Sequence, residues 1–443
     1  MPRTQQQGRG AVAYVLMAYP RLSETYITSE IHRVEETGLD VRLFAVKPVE
    51  PWEQGPRQPV VDLVRAEPHV MPARTSLTEE PLRRWLPANL KDFAPALRRT
   101  LRRHPLRVLR TAAAAARQAL RERGQWADRP PKLYVRHFLR GIYLADALLR
   151  DRSVEHIHGH YAHDSTTAVW FASMITGLPF SFTGHARDIY DEVRTPRDFL
   201  RRKMLAAKFI VTCTEANVRH LREVAPEANV HRIYHGLGED TSKLLEQGVE
   251  RVGRNGHMRL LGVGRLVRKK GFDVLVDACG VLAERGVPFE THIIGPDGDH
   301  AEEIRARIAE LGLSDRVLLP GRMGQTELCD AFRRADVFCM PCKVLENNDR
   351  DGIPNVLVEA MASGAPVVST PVSGIPELVT DGDNGLLVTP GDPEALADAL
   401  LRIENDRLLA EQLGRRAQET IREHFDGRSS AERLVALFRE AAA

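Results

Sequence analysis

Short apolar runs of β-branched character recur along the chain and alternate with longer stretches of helical period. Residues 11–17 (AVAYVLM) read as a first strand, 24–38 as a helix with Ser23 at its N-cap and Gly38 at its end, and 41–46 (VRLFAV) as a second strand. Further strands are expected near 154–158, 179–183, 208–212 and 230–234, with helices between them. The rhythm restarts near residue 258. MRLLGVGRL reads as strand and loop, FDVLVDACGVLAERG as helix, and FETHIIG, VLLPG, VFCMP and PVVST as strands. Residues 393–442 carry only helical patterns. Alternation of this kind specifies parallel βαβ units. At 443 residues the chain exceeds one core, so the pattern predicts an α/β protein of two doubly wound, Rossmann-like domains facing across a cleft. The Gly-rich, charged stretch 236–257 is the expected linker. In open parallel sheets ligands sit at the carboxyl ends of the strands, which is where chemistry is sought.

Composition narrows the class. Apolar residues at 43% and charged residues at 28% exclude collagen-like and largely disordered chains, and a net charge of +2 excludes a general polyanion binder. The five cysteines, mostly in apolar runs, suit reduced thiols of a cytoplasmic protein. Cys339 and Cys342 form a C-x-x-C without a second pair at zinc-finger spacing. Neither a signal peptide nor a transmembrane helix is expected.

Three motifs fall at expected strand ends. GVGRLVRKKG (262–271) lacks the third glycine of a dinucleotide fingerprint and the ending of a P-loop. It offers Arg265 and Lys270 beside a helix start, an anion site or else a solvated basic turn. In DGIPNVLVEAMASG (351–364), Pro354 suits the first helical turn and Gly364 the residue past the end. That helix start would face a diphosphate, Asp351 could accept sugar hydroxyls, and Glu359, among apolar neighbours, could hold a ribose diol. SFTGHARD (181–188) ends a strand at Gly184 and His185, a candidate substrate contact. Upstream, HIHGHYAHD (156–164) packs four histidines; on a strand, His156, His158 and His160 share one face. A metal reading is the lesser alternative there, because no nearby carboxylate and histidine set resembles a known zinc site and the strand should be buried on both sides.

Gly264-Arg265 with Lys270-Gly271, followed by DGIPNVLVEAMASGAPVVSTPVSGIPELV, resembles the donor-binding half of family four (group 1) of retaining GT-B glycosyltransferases. That family carries two acids separated by seven residues, the spacing of Asp351 and Glu359. The run DGDNGLLV (381–388) is similar to the turn and strand that follow. YPRLSETYITSEI and HGHYAHDSTTAVWFASMITGLPFSFTGHARDIY resemble the subgroup of colanic-acid-type exopolysaccharide and natural-product transferases. The likeness spans about 11–50 and 130–425.

The resemblance implies a GT-B fold with an acceptor-side domain over 1–240, a donor domain over 241–425 and a helix, 426–443, crossing back. It implies that Arg265 and Lys270 neutralise the donor diphosphate. Glu359 would bind the ribose, and Asp351 with Gly352, Ile353, Pro354, Asn355 and Val356 the donor sugar and phosphate. Gly264 would shape the donor loop, Arg322 contact the base, and His185 contact the sugar or reaction centre. Some members have a Gly-Gly loop after the first strand; Pro20 to Glu24 stand here, leaving Ser23 and Thr25 as acceptor-side candidates. The implied activity is retaining transfer from a UDP- or GDP-linked sugar to a hydroxyl of a glycan, lipid-linked glycan or small molecule, with no metal or other cofactor. A sugar-nucleotide epimerase and a non-catalytic sugar-nucleotide-binding protein are the alternatives.

One segment stands apart. Residues 76–125 interleave many arginines with apolar residues, predicting one or two helices with basic edges. They read either as an insert packed on the first domain or as a surface resting weakly on anionic lipid at the inner membrane face. Nucleic acid is not expected, since no recognition module accompanies the charge.

Overall fold

The structure is a computed structural model that describes residues 10–21, 24–50, 59–72, 81–122, 132–193, 195–237 and 256–442. The chain divides into two compact units, the first holding residues 1–212, 218–233 and 431–443, the second 213–217 and 234–430.

The first unit runs β1 (Ala11–Leu16), α1 (Thr25–Glu36), β2 (Asp40–Ala45), α2 (Pro59–Leu63), β3 (Pro68–Val70), α3 (Leu82–Arg103), α4 (Pro105–Arg121), α5 (Leu133–Arg150), β4 (Val154–His160), α6 (Asp164–Thr176), β5 (Phe180–Gly184), α7 (Arg187–Tyr190), α8 (Arg197–Ala206), β6 (Phe209–Thr212), α9 (Glu215–Val224) and β7 (Val230–Arg232). Its seven strands are all parallel, in the order β3-β2-β1-β4-β5-β6-β7. Both faces of this sheet are covered, so β1 is apolar throughout rather than alternating. Ala11, Ala13 and Val15 pack with residues of α5 and α6, while Val12, Tyr14 and Leu16 pack with α1 and the last helix.

The second unit runs β8 (Met258–Val263), α10 (Phe272–Glu284), β9 (Phe289–Ile294), α11 (Ala301–Glu310), β10 (Val317–Gly321), α12 (Gln325–Arg334), β11 (Val337–Met340), α13 (Asn355–Ala362), β12 (Val367–Ser369), β13 (Leu386–Leu387), α14 (Pro393–Asn405) and α15 (Arg407–His424). Its sheet is also all parallel, in the order β10-β9-β8-β11-β12-β13. The last helix, α16 (Gly427–Ala442), places Leu434, Val435 and Phe438 in the core of the first unit.

In each sheet the strand order reverses once, at β1/β4 and at β8/β11. At such a switch point the two neighbouring connections leave in opposite directions and open a crevice at the carboxyl ends of the strands. The motifs after β8 and β11, and after β4 and β5, lie at these ends. Among the described residues no helix is long and apolar enough to cross a membrane. The N-cap expected at Ser23 lies outside the described residues; Glu24 precedes α1.

Candidate active site

In the second unit the chain leaves β8 through Gly264 and Arg265 and makes a single 3-10 turn, Arg268–Lys270, before α10. Gly271 links turn to helix with φ 70°, and a Cβ there would sit 1.8 Å from the Pro341 carbonyl oxygen. Only glycine lets the loop after β8 lie against the loop after β11. The Lys343 N–H donates to the Lys269 carbonyl at 2.9 Å and fastens the two loops together.

This contact delivers two lysines to one carboxylate. Lys270 Nζ lies 2.7 Å from Asp351 Oδ2, and Lys269 Nζ lies 3.1 Å from both Asp351 Oδ1 and Asp349 Oδ1. Burial alone would raise the Asp351 carboxyl, but Lys270 and Lys269 outweigh it and hold Asp351 well below the usual carboxylate range. Burial likewise pulls Lys269 down, and the carboxylates of Asp351 and Asp349 more than restore it. Lys269 and Asp351 thus each favour the charged form of the other. Lys269 and Asp349 were not singled out from the sequence; only the paired loops bring them to Asp351.

Pro354 precedes α13 as its N-cap, one position earlier than a first-turn proline, and no side chain caps the helix. Its first N–H groups, with the positive end of the dipole, face the end of the sheet that carries Asp351. Gly364 follows the helix end with φ 76°, as its place in the motif requires. Glu359 projects half-buried from α13, with no side-chain partner among the described residues, and burial pushes its carboxyl up to about 7. Arg265 and Arg322 are exposed and have no side-chain partner among the described residues. Gly352, Ile353, Asn355 and Val356 are partly exposed along the loop and first turn.

The C-x-x-C is buried in this unit. Burial pushes the Cys342 thiol up to about 12 and also raises Cys339 well above the usual thiol range, so neither readily forms the thiolate that metal or redox chemistry needs.

In the first unit His185 follows β5 at the carboxyl end. Asp188 fixes its backbone, accepting the N–H of His185 at 3.0 Å, of Ala186 at 3.0 Å and of Ala162 at 2.7 Å. The His185 ring lies 4.6 Å from that of Tyr161 and 5.3 Å from that of Tyr26. His156, His158 and His160 do share one face of β4. They form a ladder: His156 Nε2 to Ser181 Oγ at 2.7 Å, His158 to Ser181 Oγ at 2.8 Å and Thr183 Oγ1 at 3.0 Å, and His160 to His185 Nε2 at 3.3 Å and Glu30 Oε1 at 3.1 Å. Burial holds His156 down to about 3 and His158 well below the usual imidazole range, so these two rings are neutral. His163 stands apart, its Nδ1 accepting the Asp164 N–H at the start of α6.

Glu30 was not singled out from the sequence. A carboxylate does reach the histidines, from α1, and Glu30, His158 and His160 bring ligand atoms within 4.8 Å of one another. Both nitrogens of His158 and both of His160 are nevertheless engaged by protein partners, so a cation would have to displace those bonds. Of the acceptor-side candidates, Thr25 opens α1 half-buried, and Ser23 lies outside the described residues.

Comparison with known proteins bears on the second unit above all. The family "Glycosyl transferases group 1" matches residues 253–420. The second unit is a group 1 glycosyl transferase domain. The group 1 domain therefore contains Lys270, Asp351, Arg322 and Glu359, all within the matched residues. The amylovoran biosynthesis glycosyltransferase AmsK of Erwinia amylovora is 43% identical over 146 residues, 33% of this chain and 36% of that protein. The putative colanic acid biosynthesis glycosyltransferase WcaL of Salmonella typhimurium is 36% identical over 204 residues, 45% and 49% of the two chains. The chain thus spans only a third to a half of the length of these relatives. Around the group 1 domain, the whole chain has the GT-B fold: the Anabaena HepE structure with UDP and glucose superposes with a TM-score of 0.64 at 16% identity, covering 97% of this chain and 100% of that one.

Proposed function

We propose that the protein is a retaining glycosyltransferase that moves a sugar from a nucleoside-diphosphate sugar to a hydroxyl group, without a metal ion. The observation that carries this reading is the Lys269–Lys270–Asp351 cluster at the β8/β11 switch point of a group 1 domain, with the open start of α13 beside it. Lys270 and Arg265, with the α13 amides, meet the diphosphate. Asp351 takes sugar hydroxyls, Glu359 the ribose and Arg322 the base. As the bond from the anomeric carbon to the diphosphate oxygen breaks, charge grows on that oxygen. Fixed cations and a helix terminus stabilise it more than they stabilise the ground state. The acceptor oxygen bonds to the anomeric carbon on the same face, and its proton passes to the departing diphosphate. For His185 of the first unit, the family resemblance implies a contact with the sugar or reaction centre.

The donor is UDP- or GDP-linked; the UDP in the HepE structure favours uridine. The names of AmsK and WcaL, glycosyltransferases of amylovoran and colanic acid biosynthesis, favour a glycan acceptor. In our reading that acceptor is lipid-linked, at the inner membrane face. The test incubates the chain with a panel of UDP- and GDP-sugars, with and without membrane extract as acceptor source, and measures free nucleoside diphosphate. Release that requires acceptor, with a chelator present, is the expected result. Conversion of the donor to an isomeric nucleotide sugar without acceptor would point to an epimerase, and binding with neither release nor isomerisation to a non-catalytic protein.

A further inference from the structure

The basic segment forms two helices, and each packs one face inward. From α3, Trp85, Phe93 and Ala96 are buried; Trp85 and Phe93 cluster with Leu139 of α5. Arg99 is anchored by Asp146 of α5 at 2.7 Å. From α4, Val108, Thr111, Ala115 and Gln118 are buried, and Arg107 Nη1 donates to the Thr176 carbonyl at the end of α6, 2.8 Å away. The packed insert therefore accounts for the inner faces.

It does not account for the outer face of α4. Helical rotation places Leu106, Leu109, Ala113, Ala116 and Leu120 in one row, opposite the buried row. Leu106, Leu109 and Leu120 are 68%, 61% and 65% exposed. A second row, Arg110, Arg117 and Arg121, runs beside them and is exposed along its length. Within α4 there is no acidic residue at all, and the Glu122 that follows is buried, bonded to Gln118 at 2.6 Å and to Tyr134. On α3, Arg84, Lys91, Arg98 and Arg102 form a further exposed row. A solvated helix surface mixes charges of both signs; a leucine row edged by cations alone is the pattern of a helix lying in a bilayer interface.

We infer that the outer face of α4 lies in the headgroup region of an anionic membrane, its leucines inserted and its arginines on lipid phosphates. A bilayer suits this face better than a protein partner because both properties are met at once. The leucines need an apolar layer, and the unopposed arginines, spread over about three turns, need a negative surface rather than one complementary carboxylate. This rests on the proposed function only for its purpose, which is to hold the enzyme at a lipid-linked acceptor; the surface itself stands on the exposed residues.

The test is co-sedimentation with vesicles of phosphatidylcholine alone or with a third phosphatidylglycerol, at low and high salt, for the full chain and two variants. Removing the charge of one arginine near such a surface lowers partitioning about fivefold, so R110Q/R117Q/R121Q should bind roughly a hundredfold more weakly to anionic vesicles. L106S/L109S/L120S should lose at least about tenfold and retain only a fraction that high salt removes completely. Turnover on a soluble acceptor should be unchanged in both variants, and equal thermal unfolding would confirm that both fold. Equal binding of all three proteins to anionic vesicles overturns the inference, as does no binding by the parent chain at low salt. A parent chain that self-associates until the leucines are replaced, and ignores vesicles, would assign the face to a second copy instead. Loss of soluble turnover in the parent chain would count against the proposed function and leave the vesicle result standing.

Discussion

Replacing Glu359 by Gln separates what its carboxylate costs the fold from what it contributes to the donor. Burial lifts the carboxyl from its ordinary 4.5 to about 7. Between those values the unfolded chain has released the proton and the folded protein still holds it. Stability therefore falls as pH rises through the window, and above it the whole penalty is in place. The shift corresponds to roughly 3 kcal/mol, which water at the half-buried side chain reduces to about 1–3 kcal/mol. Gln keeps the shape and removes the charge. At about pH 8, E359Q without donor should thus be more stable than the parent by about 1–3 kcal/mol, and at about pH 4 the two should coincide. Affinity for the nucleotide sugar should move the other way. An ionised acceptor for the ribose diol is replaced by a neutral one, a loss of at least about tenfold. Parent affinity should also climb as pH rises through 7, while that of E359Q stays flat. Urea unfolding across this pH range and calorimetric titration with donor measure both effects. A variant whose stability advantage does not grow with pH, or that binds donor like the parent, would refute the reasoning.

Lys270→Ala should weaken donor binding at least about tenfold and, by leaving Asp351 to Lys269 alone, lower stability by about 1–3 kcal/mol; donor titration and unfolding check each effect. Turnover should survive chelation, and a loss restored by a divalent ion would return attention to Glu30, His158 and His160. His156, held down to about 3 by burial with a smaller push from Lys208, takes up its proton in the unfolded chain first. Stability should therefore fall as pH drops from about 6.5 toward 3, and His156→Asn should flatten that slope in pH-dependent urea unfolding.

The architecture was legible because it is written in local period. Strand β1 was expected at 11–17 and runs Ala11–Leu16; α10 was expected within 272–286 and runs Phe272–Glu284. The short edge strands β3 and β13 are less legible. β3 is Pro68–Val70, an exposed three-residue strand without an apolar run to announce it. Asp351, Lys270 and Glu359 could be named because their motifs sit at strand ends. Lys269 and Asp349 could not, since their pairing depends on the contact of two loops 80 residues apart, through a glycine pressed on Pro341. Glu30 was missed for the same reason, as no spacing along the chain relates α1 to β4.

The lysine–aspartate cluster constrains how a donor could be received. In the free protein Lys270 is committed to Asp351, and Asp351 is bonded by both lysines. A diphosphate arriving at the start of α13 competes for Lys270 with a carboxylate that carries less charge. Whatever share of Lys270 it takes, it withdraws from Asp351, whose oxygen then has a vacant lone pair. On the proposed reading, that is the oxygen which must accept hydroxyls of the sugar. Phosphate and sugar recognition would thus be coupled through one ammonium group: a nucleoside diphosphate frees part of the sugar's acceptor, while a free sugar meets a carboxylate with a lysine on each oxygen. Lys269, held between Asp349 and Asp351, keeps the loop charged and in place during the exchange. Such coupling favours the intact donor over either of its halves, because neither half alone finds both groups available.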